Sequence, residues 1–260
     1  MSTPSQSLFF MFFFHIIHIK AIYNDFIYAT CTSQETYQPN SPYESTLHNL
    51  LTSMAISSSR SLYGSFSIAN DNSSEASMYG LYQCRGDLNL RECLKCVESV
   101  ADQVQLACPH MYGASLQLEE CFIRYERSDF LGKLDTGIRY KKCSEIVSED
   151  AEFLKRRDDV LTDLMVATSF KISTSGLVEG FAQCLGDVSV TDCSACLANA
   201  VQKLKTICGP AEAVDVYLAQ CYAKYWASGY YRLPIGTHVK FCLFLHVSSL
   251  FILNCVFEHV

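Results

Sequence analysis

The sequence predicts an α+β protein made of two tandem copies of one unit, and three observations carry that prediction. The first is an internal repeat: Gly80-Leu-Tyr-Gln-Cys84-Arg-Gly-Asp87 recurs as Gly180-Phe-Ala-Gln-Cys184-Leu-Gly-Asp187. The second is cysteine spacing. Cys84, Cys93, Cys96, Cys108 and Cys121 are matched 100 residues later by Cys184, Cys193, Cys196, Cys208 and Cys221, so both halves read C-x8-C-x2-C-x11-C-x12-C. The third is a change of hydrophobic period within each copy, from helical to strand-like. Upstream cysteines Cys31 and Cys143 complete six per unit and leave Cys242 and Cys255 in the tail.

The elements follow in chain order. Residues 1–25 read as a signal peptide: Leu8 to Ile19 is a 12-residue apolar stretch, too short to span a bilayer and suited to a secretory h-region, with the cleavage point left open. The first unit, 26–134, opens a helix at Ser41-Pro42-Tyr43-Glu44, with proline at the first helical position and Leu47, Leu50, Leu51 and Met54 at helical spacing. A second helix carries the stripe Cys93, Val97, Val100, Ala101 and Val104, and Ser115 to Tyr125 alternates like strands. Asp135 to Lys142 reads as the linker. The second unit, 135–235, repeats the pattern with Phe153, Val160, Leu161, Leu164 and Met165, then Cys193, Leu197, Ala200, Val201 and Leu204, then Val216 to Tyr225. The apolar tail, 236–260, reads as a membrane anchor or as a segment packed on the domain. Its run from Phe241 to Phe257 is at the short limit for a spanning helix, and Lys240 and Glu258 flank it against the positive-inside tendency.

Composition narrows the function classes. With 49% hydrophobic residues in 260 the chain can bury a core, which excludes general disorder. The net charge of -7 argues against nucleic acid as a partner, since phosphate binding needs a cationic face. Fourteen cysteines point to disulfides or to metal. Each half has one C-x2-C pair followed by widely spaced single cysteines, unlike the paired motifs of zinc sites. No βαβ context surrounds the motif, as a thioredoxin-type pair would need. The even count per unit, the signal peptide and the sequon at Asn72-Ser73-Ser74, which marks Asn72 for glycosylation, favour structural disulfides and no metal or cofactor. Spacing alone leaves the 15 pairings of six cysteines open. No G-x-S-x-G, P-loop or H-E-x-x-H occurs, so no enzyme is expected. His48 reads as a surface residue on the first helix, Asp87 and Asp187 as turn residues, and Glu119-Glu120 as a solvated strand edge.

C-x8-C-x2-C in tandem after a signal peptide resembles the plant cysteine-rich repeat family that includes the seed antifungal lectin ginkbilobin. Ser41-Pro-Tyr-Glu-Ser45, Gln83-Cys-Arg-Gly-Asp-Leu88, Leu116-Gln-Leu118 and Cys221-Tyr-Ala-Lys-Tyr-Trp226 are most similar to its double-domain, plasmodesmata-located members. The resemblance covers about residues 26 to 231. It implies, for each unit, two helices packed on an antiparallel sheet with three disulfides. By position the pairs would be Cys31 with Cys108, Cys84 with Cys93 and Cys96 with Cys121, then Cys143 with Cys208, Cys184 with Cys193 and Cys196 with Cys221. It further implies a non-enzymatic membrane protein that reaches plasmodesmata by the secretory pathway, promotes callose deposition, restricts cell-to-cell movement in defence, and associates with other cell-surface or plasmodesmal proteins as a homo- or hetero-oligomer. The alternative is a soluble, secreted, lectin-like or antifungal protein of the apoplast. The lectin relative holds mannose with an Asn, an Arg and a Glu. The matching positions are Thr32, Ser115 and Glu126 in the first unit, and Ser144, Asp215 and Trp226 in the second. Without the Arg fork neither unit is expected to bind mannose. Glu126, the retained position, is expected to be a structural or surface carboxylate. The resemblance also departs at the C-terminus, where the family's polar stalk and clear spanning helix are replaced by the apolar tail.

Overall fold

The structure, a computed structural model, describes residues 26–31, 35–68 and 77–230 and the backbone of 241–247 and 250–256. The expected signal peptide, Thr32, Asn72 and the tail's side chains lie outside the described residues. The first unit runs β1 (Phe26–Cys31), α1 (Pro42–Ser58), β2 (Tyr63–Ile68), β3 (Met78–Cys84), α2 (Leu90–Ala107), β4 (Ala114–Leu118) and β5 (Cys121–Glu126). The second repeats it as β6 (Ile138–Cys143), α3 (Ala151–Leu164), β7 (Phe170–Ser175), β8 (Val178–Cys184), α4 (Val190–Cys208), β9 (Ala213–Leu218) and β10 (Cys221–Ala227). Each unit forms one five-stranded antiparallel sheet, ordered β1-β4-β5-β3-β2 and β6-β9-β10-β8-β7. The expected α+β class with helices on an antiparallel sheet is therefore the observed one.

Local chemistry explains where the helices start. Ser41 caps α1, its hydroxyl accepting from the Glu44 amide with Pro42 just inside. Asn89 and Glu92 form a capping box on α2. Asp150 and Ser189 cap α3 and α4 through the amides of Glu152 and Asp192. Strand β6 corrects the expected linker, because Ile138 to Lys142 pairs with β9 and the connection is 127–137. Arg139, Lys141 and Lys142 gave that stretch a linker's polarity. Charges are also what an edge strand carries to stay unpaired on its open side. In the tail, β11 (Phe241–Val247) and β12 (Leu250–Val256) pair as an antiparallel hairpin. Among the described residues no helix is long and apolar enough to cross a membrane.

Each unit has its own core between helices and sheet. Leu47, Leu50, Leu51 and Met54 of α1 and Val97, Val100 and Val104 of α2 meet Leu116 and Ile123 of the first sheet. Val160, Leu161, Leu164, Leu197, Val201 and Leu204 meet Val214, Val216 and Ala223 of the second. The repeated Gly80 and Gly180 let a helix lie flush on the inner strands β3 and β8. A Cβ at Gly180 would fall 2.6 Å from the Lys224 carbonyl oxygen and 3.0 Å from Val160 Cγ1, and one at Gly80 would run into Met54 and Leu50. Since a backbone atom cannot swing aside as a flexible side chain can, Gly180→Ala is expected to cost about 1–3 kcal/mol. The urea midpoint would fall at unchanged slope, while Val190→Ala at a 60% exposed position would leave it in place.

Candidate functional site

Six disulfides set the frame from which the site residues project: Cys31–Cys108, Cys84–Cys93 and Cys96–Cys121, and Cys143–Cys208, Cys184–Cys193 and Cys196–Cys221. Cys84, Cys121, Cys184 and Cys221 sit at strand ends and tie their sheets to α2 and α4. Alternation then sends the neighbouring side chains to the opposite, helix-free face of each sheet. That face carries Ser115 and Glu126 of the first unit and Asp215 and Trp226 of the second, all positions aligned with the lectin's sugar-binding residues.

In the first unit Glu126 is already engaged. Ser115 on β4 lies in register with Arg124 on β5. The Arg124 Nε donates to Glu126 Oε1 at 2.8 Å, its Nη2 lies 2.6 Å from the same oxygen, and Ser128 Oγ lies 3.3 Å from Glu126 Oε2. The guanidinium rests 4.0 Å from the ring centroid of Phe130, a buried residue of the connection. Glu126 thus neutralises an arginine while the connection covers both.

The second unit is arranged differently. Ser144 Oγ accepts from the Ile146 amide at 3.0 Å, and Trp226 packs edge-on against Phe181 at 5.7 Å. Asp215 on β9 lies in register with Lys142 on β6 and Lys224 on β10. Lys142, Ser144, Ala213, Val214, Asp215 and Tyr230 line a small cleft there. Burial pushes the Asp215 carboxyl up, with Lys224 opposing the shift. A carboxylate therefore stands where a sugar-gripping guanidinium would be needed. Among the described residues no group of His, Cys, Asp and Glu is placed to hold a metal ion.

The helix-free faces of the two sheets pack against each other along a seam that sequence reasoning missed. Tyr28, Leu81, Phe122 and Phe130 of the first unit and its connection meet Tyr217, with Tyr140, Leu185 and Tyr222 packed around them. Tyr28 stacks on Tyr140 at 6.4 Å, and each follows a bulge at the start of its strand. The contacts are reciprocal. Gly186 lies against the ring of Tyr63, where a Cβ would be 2.6 Å from Cγ, and Gly86 lies against Phe170, which precludes a side chain there too. Gln83 Oε1 accepts from the Gly186 amide at 3.0 Å, and Gln183 Nε2 donates to the Cys84 carbonyl at 2.9 Å. The repeated Gly-Phe/Leu-x-Gln-Cys-x-Gly motif is the signal that could have revealed the seam, since it supplies both halves of these pairs.

One ion pair also crosses the seam. Lys224 Nζ donates to both oxygens of Glu119, at 2.7 and 3.0 Å. Glu119 and Glu120 are therefore the two-residue turn between β4 and β5, not a solvated strand edge, and Glu119 reaches the other unit. Asp87 holds Arg85 at 2.6 Å, and Asp187 accepts from the Gly132 amide at 3.0 Å, so both turn aspartates are bound within the structure. His48 is exposed on α1.

Comparison with known proteins covers both units. The family model described as salt stress response/antifungal matches residues 30–128 and 141–228. The chain is 56% identical over 211 residues to plasmodesmata-located protein 8 of Arabidopsis thaliana, spanning 79% of this chain and 75% of that protein. It is 41% identical over 214 residues to plasmodesmata-located protein 6 of the same plant, spanning 81% of this chain and 74% of that protein. Its structure is similar to the crystal structure of the tandem DUF26 ectodomain of a cysteine-rich receptor-like protein from Arabidopsis thaliana, with a TM-score of 0.76 at 55% identity, over 79% of this chain and all of that one.

Proposed function

The chain belongs to the salt stress response/antifungal family as a tandem-domain protein of the plasmodesmata-located type, and from that membership we propose that it is a non-enzymatic extracellular protein that acts at plasmodesmata. In this reading it regulates cell-to-cell movement, linked to callose and to defence, by associating with other proteins at the cell surface. The observation that carries it is the 56% identity over 211 residues to a plasmodesmata-located protein. Two features of the site support association over small-ligand capture: Glu126 is committed to Arg124, and the helix-free faces are largely covered by each other. The exposed helix faces are then the surfaces left for partners. Residues 1–25 would direct the chain to the secretory pathway, and the tail would hold it at the plasma membrane.

A fluorescent tag placed after Val260 in plant cells checks this reading. Punctate signal crossing the wall is expected, with raised callose staining and slower spread of a mobile reporter when the chain is overproduced. Diffuse apoplastic signal with unchanged reporter spread would sink it in favour of a soluble antifungal protein, the reading that the family's description favours.

A further inference from the structure

At the seam one buried ammonium faces two carboxylates. Lys224, 3% exposed, donates to both oxygens of Glu119 in the first unit and lies 3.7 Å from Asp215 Oδ1 in its own. That last distance is too long for a hydrogen bond, and Asp215 Oδ1, on a residue 7% exposed, has no other hydrogen-bond partner. Three further charges face this group. Lys142 stands in register with Asp215 on β6, Arg85 Nη1 is 3.8 Å from Glu119 Oε1, and Asp87 holds Arg85. Tyr217 and Tyr222 close the apolar side, and burial pushes both phenols up, which keeps them neutral.

In the second unit alone, Asp215 would have Lys224 to itself. Docking brings Glu119 against the same ammonium, so two carboxylates then share Lys224 and repel each other across it, with Arg85 and Lys142 as the outer cations. A proton on Asp215 removes that repulsion and turns an unpartnered acceptor into a hydroxyl that can donate. We propose that the Glu119–Lys224–Asp215 triad is a pH-responsive latch, tightened by mild acid and loosened towards neutral and alkaline pH, that sets how firmly the two units dock. The direction agrees with burial, and then Glu119, raising the Asp215 carboxyl against Lys224 and Lys142. A carboxyl raised in the docked form contributes stability that is complete below the ordinary Asp value of about 4 and is lost as pH rises through the raised value.

Amide hydrogen exchange on the full chain tests the latch. The Gly186 amide donates across the seam to Gln83 Oε1 at 3.0 Å, and that acceptor does not titrate. Corrected for intrinsic rates, protection at this amide is expected to rise roughly three- to tenfold from about pH 7.5 to about pH 4. In Asp215→Asn the ratio should stay near one. A wild type without the rise, or an Asp215→Asn variant with the same rise, overturns the proposal. Should Asp215→Asn lose its near-ultraviolet circular dichroism, Glu119→Gln takes its place. Removal of the opposing charge is then expected to shrink the rise, with burial alone still raising Asp215, and an undiminished rise overturns the latch equally.

Discussion

Removing the Cys31–Cys108 disulfide with Cys31→Ala/Cys108→Ala is expected to lower stability by about 4–5 kcal/mol, the largest loss of any single pair. Its residues are 77 apart in sequence, so the cross-link removes the most freedom from the unfolded chain. It also fastens the edge strand β1, which carries Tyr28 into the seam, to the end of α2. Deleting Cys84–Cys93, whose residues are only 9 apart, should cost about 2.5 kcal/mol. Differential scanning calorimetry of the two double variants decides the matter. The first should melt roughly 10–15 °C below the wild type and the second roughly half as far, if the units unfold together. An inverted order would show that native-state contacts around each bridge, rather than loop closure, govern its contribution.

Glu119→Ala is expected to be the most damaging change at a surface turn, at about 2–4 kcal/mol. The loss comes less from the missing attraction than from what remains: Lys224 is left buried with Asp215 at 3.7 Å as its nearest carboxylate. Lys224→Met should cost a similar amount, because it leaves Asp215 buried without its main cation and Glu119 turned toward an apolar seam. The double variant Glu119→Ala/Lys224→Met is expected to recover part of that loss, as apolar replacement of a buried pair commonly does. Denaturant unfolding of the three variants forms a double-mutant cycle. Additive losses, with the double variant worst of all, would mean that the two side chains do not act on each other. Loss at Glu119 is informative in a second way, since the residue belongs to the first unit and its effect on the second reads the strength of docking.

Much of the fold was legible from residue order. The start signal at Ser41-Pro42 and the apolar stripes of all four helices showed in the sequence because both are local in the chain, whereas the caps at Asn89 and Ser189 emerged only from the structure. Strands β4, β5, β9 and β10 showed through alternation. The edge strands β1, β2, β6 and β7 were hard to see, being short, polar on one side and ended by cysteine or loop. Part of β6 was read as linker for that reason. Glu126 was recognised as the retained lectin position, but the Arg124 and Phe130 that engage it were not, since the register bond from β4 to β5 and the fold-back of the connection are non-local.

Glu119 was misread for a related cause. Two adjacent acids near a strand look like a solvated edge when nothing within a few residues can pair with them. The partner, Lys224, lies 105 residues away. What the sequence by itself determined was the duplication, the α+β class and the chemistry of the cysteines, because spacing and period are properties of the chain. Only the tertiary structure decided that the two units turn their helix-free faces together and enclose Lys224 between Glu119 and Asp215. Those contacts arise when apolar and charged groups far apart in sequence must leave water at the same place, and no local pattern records that demand.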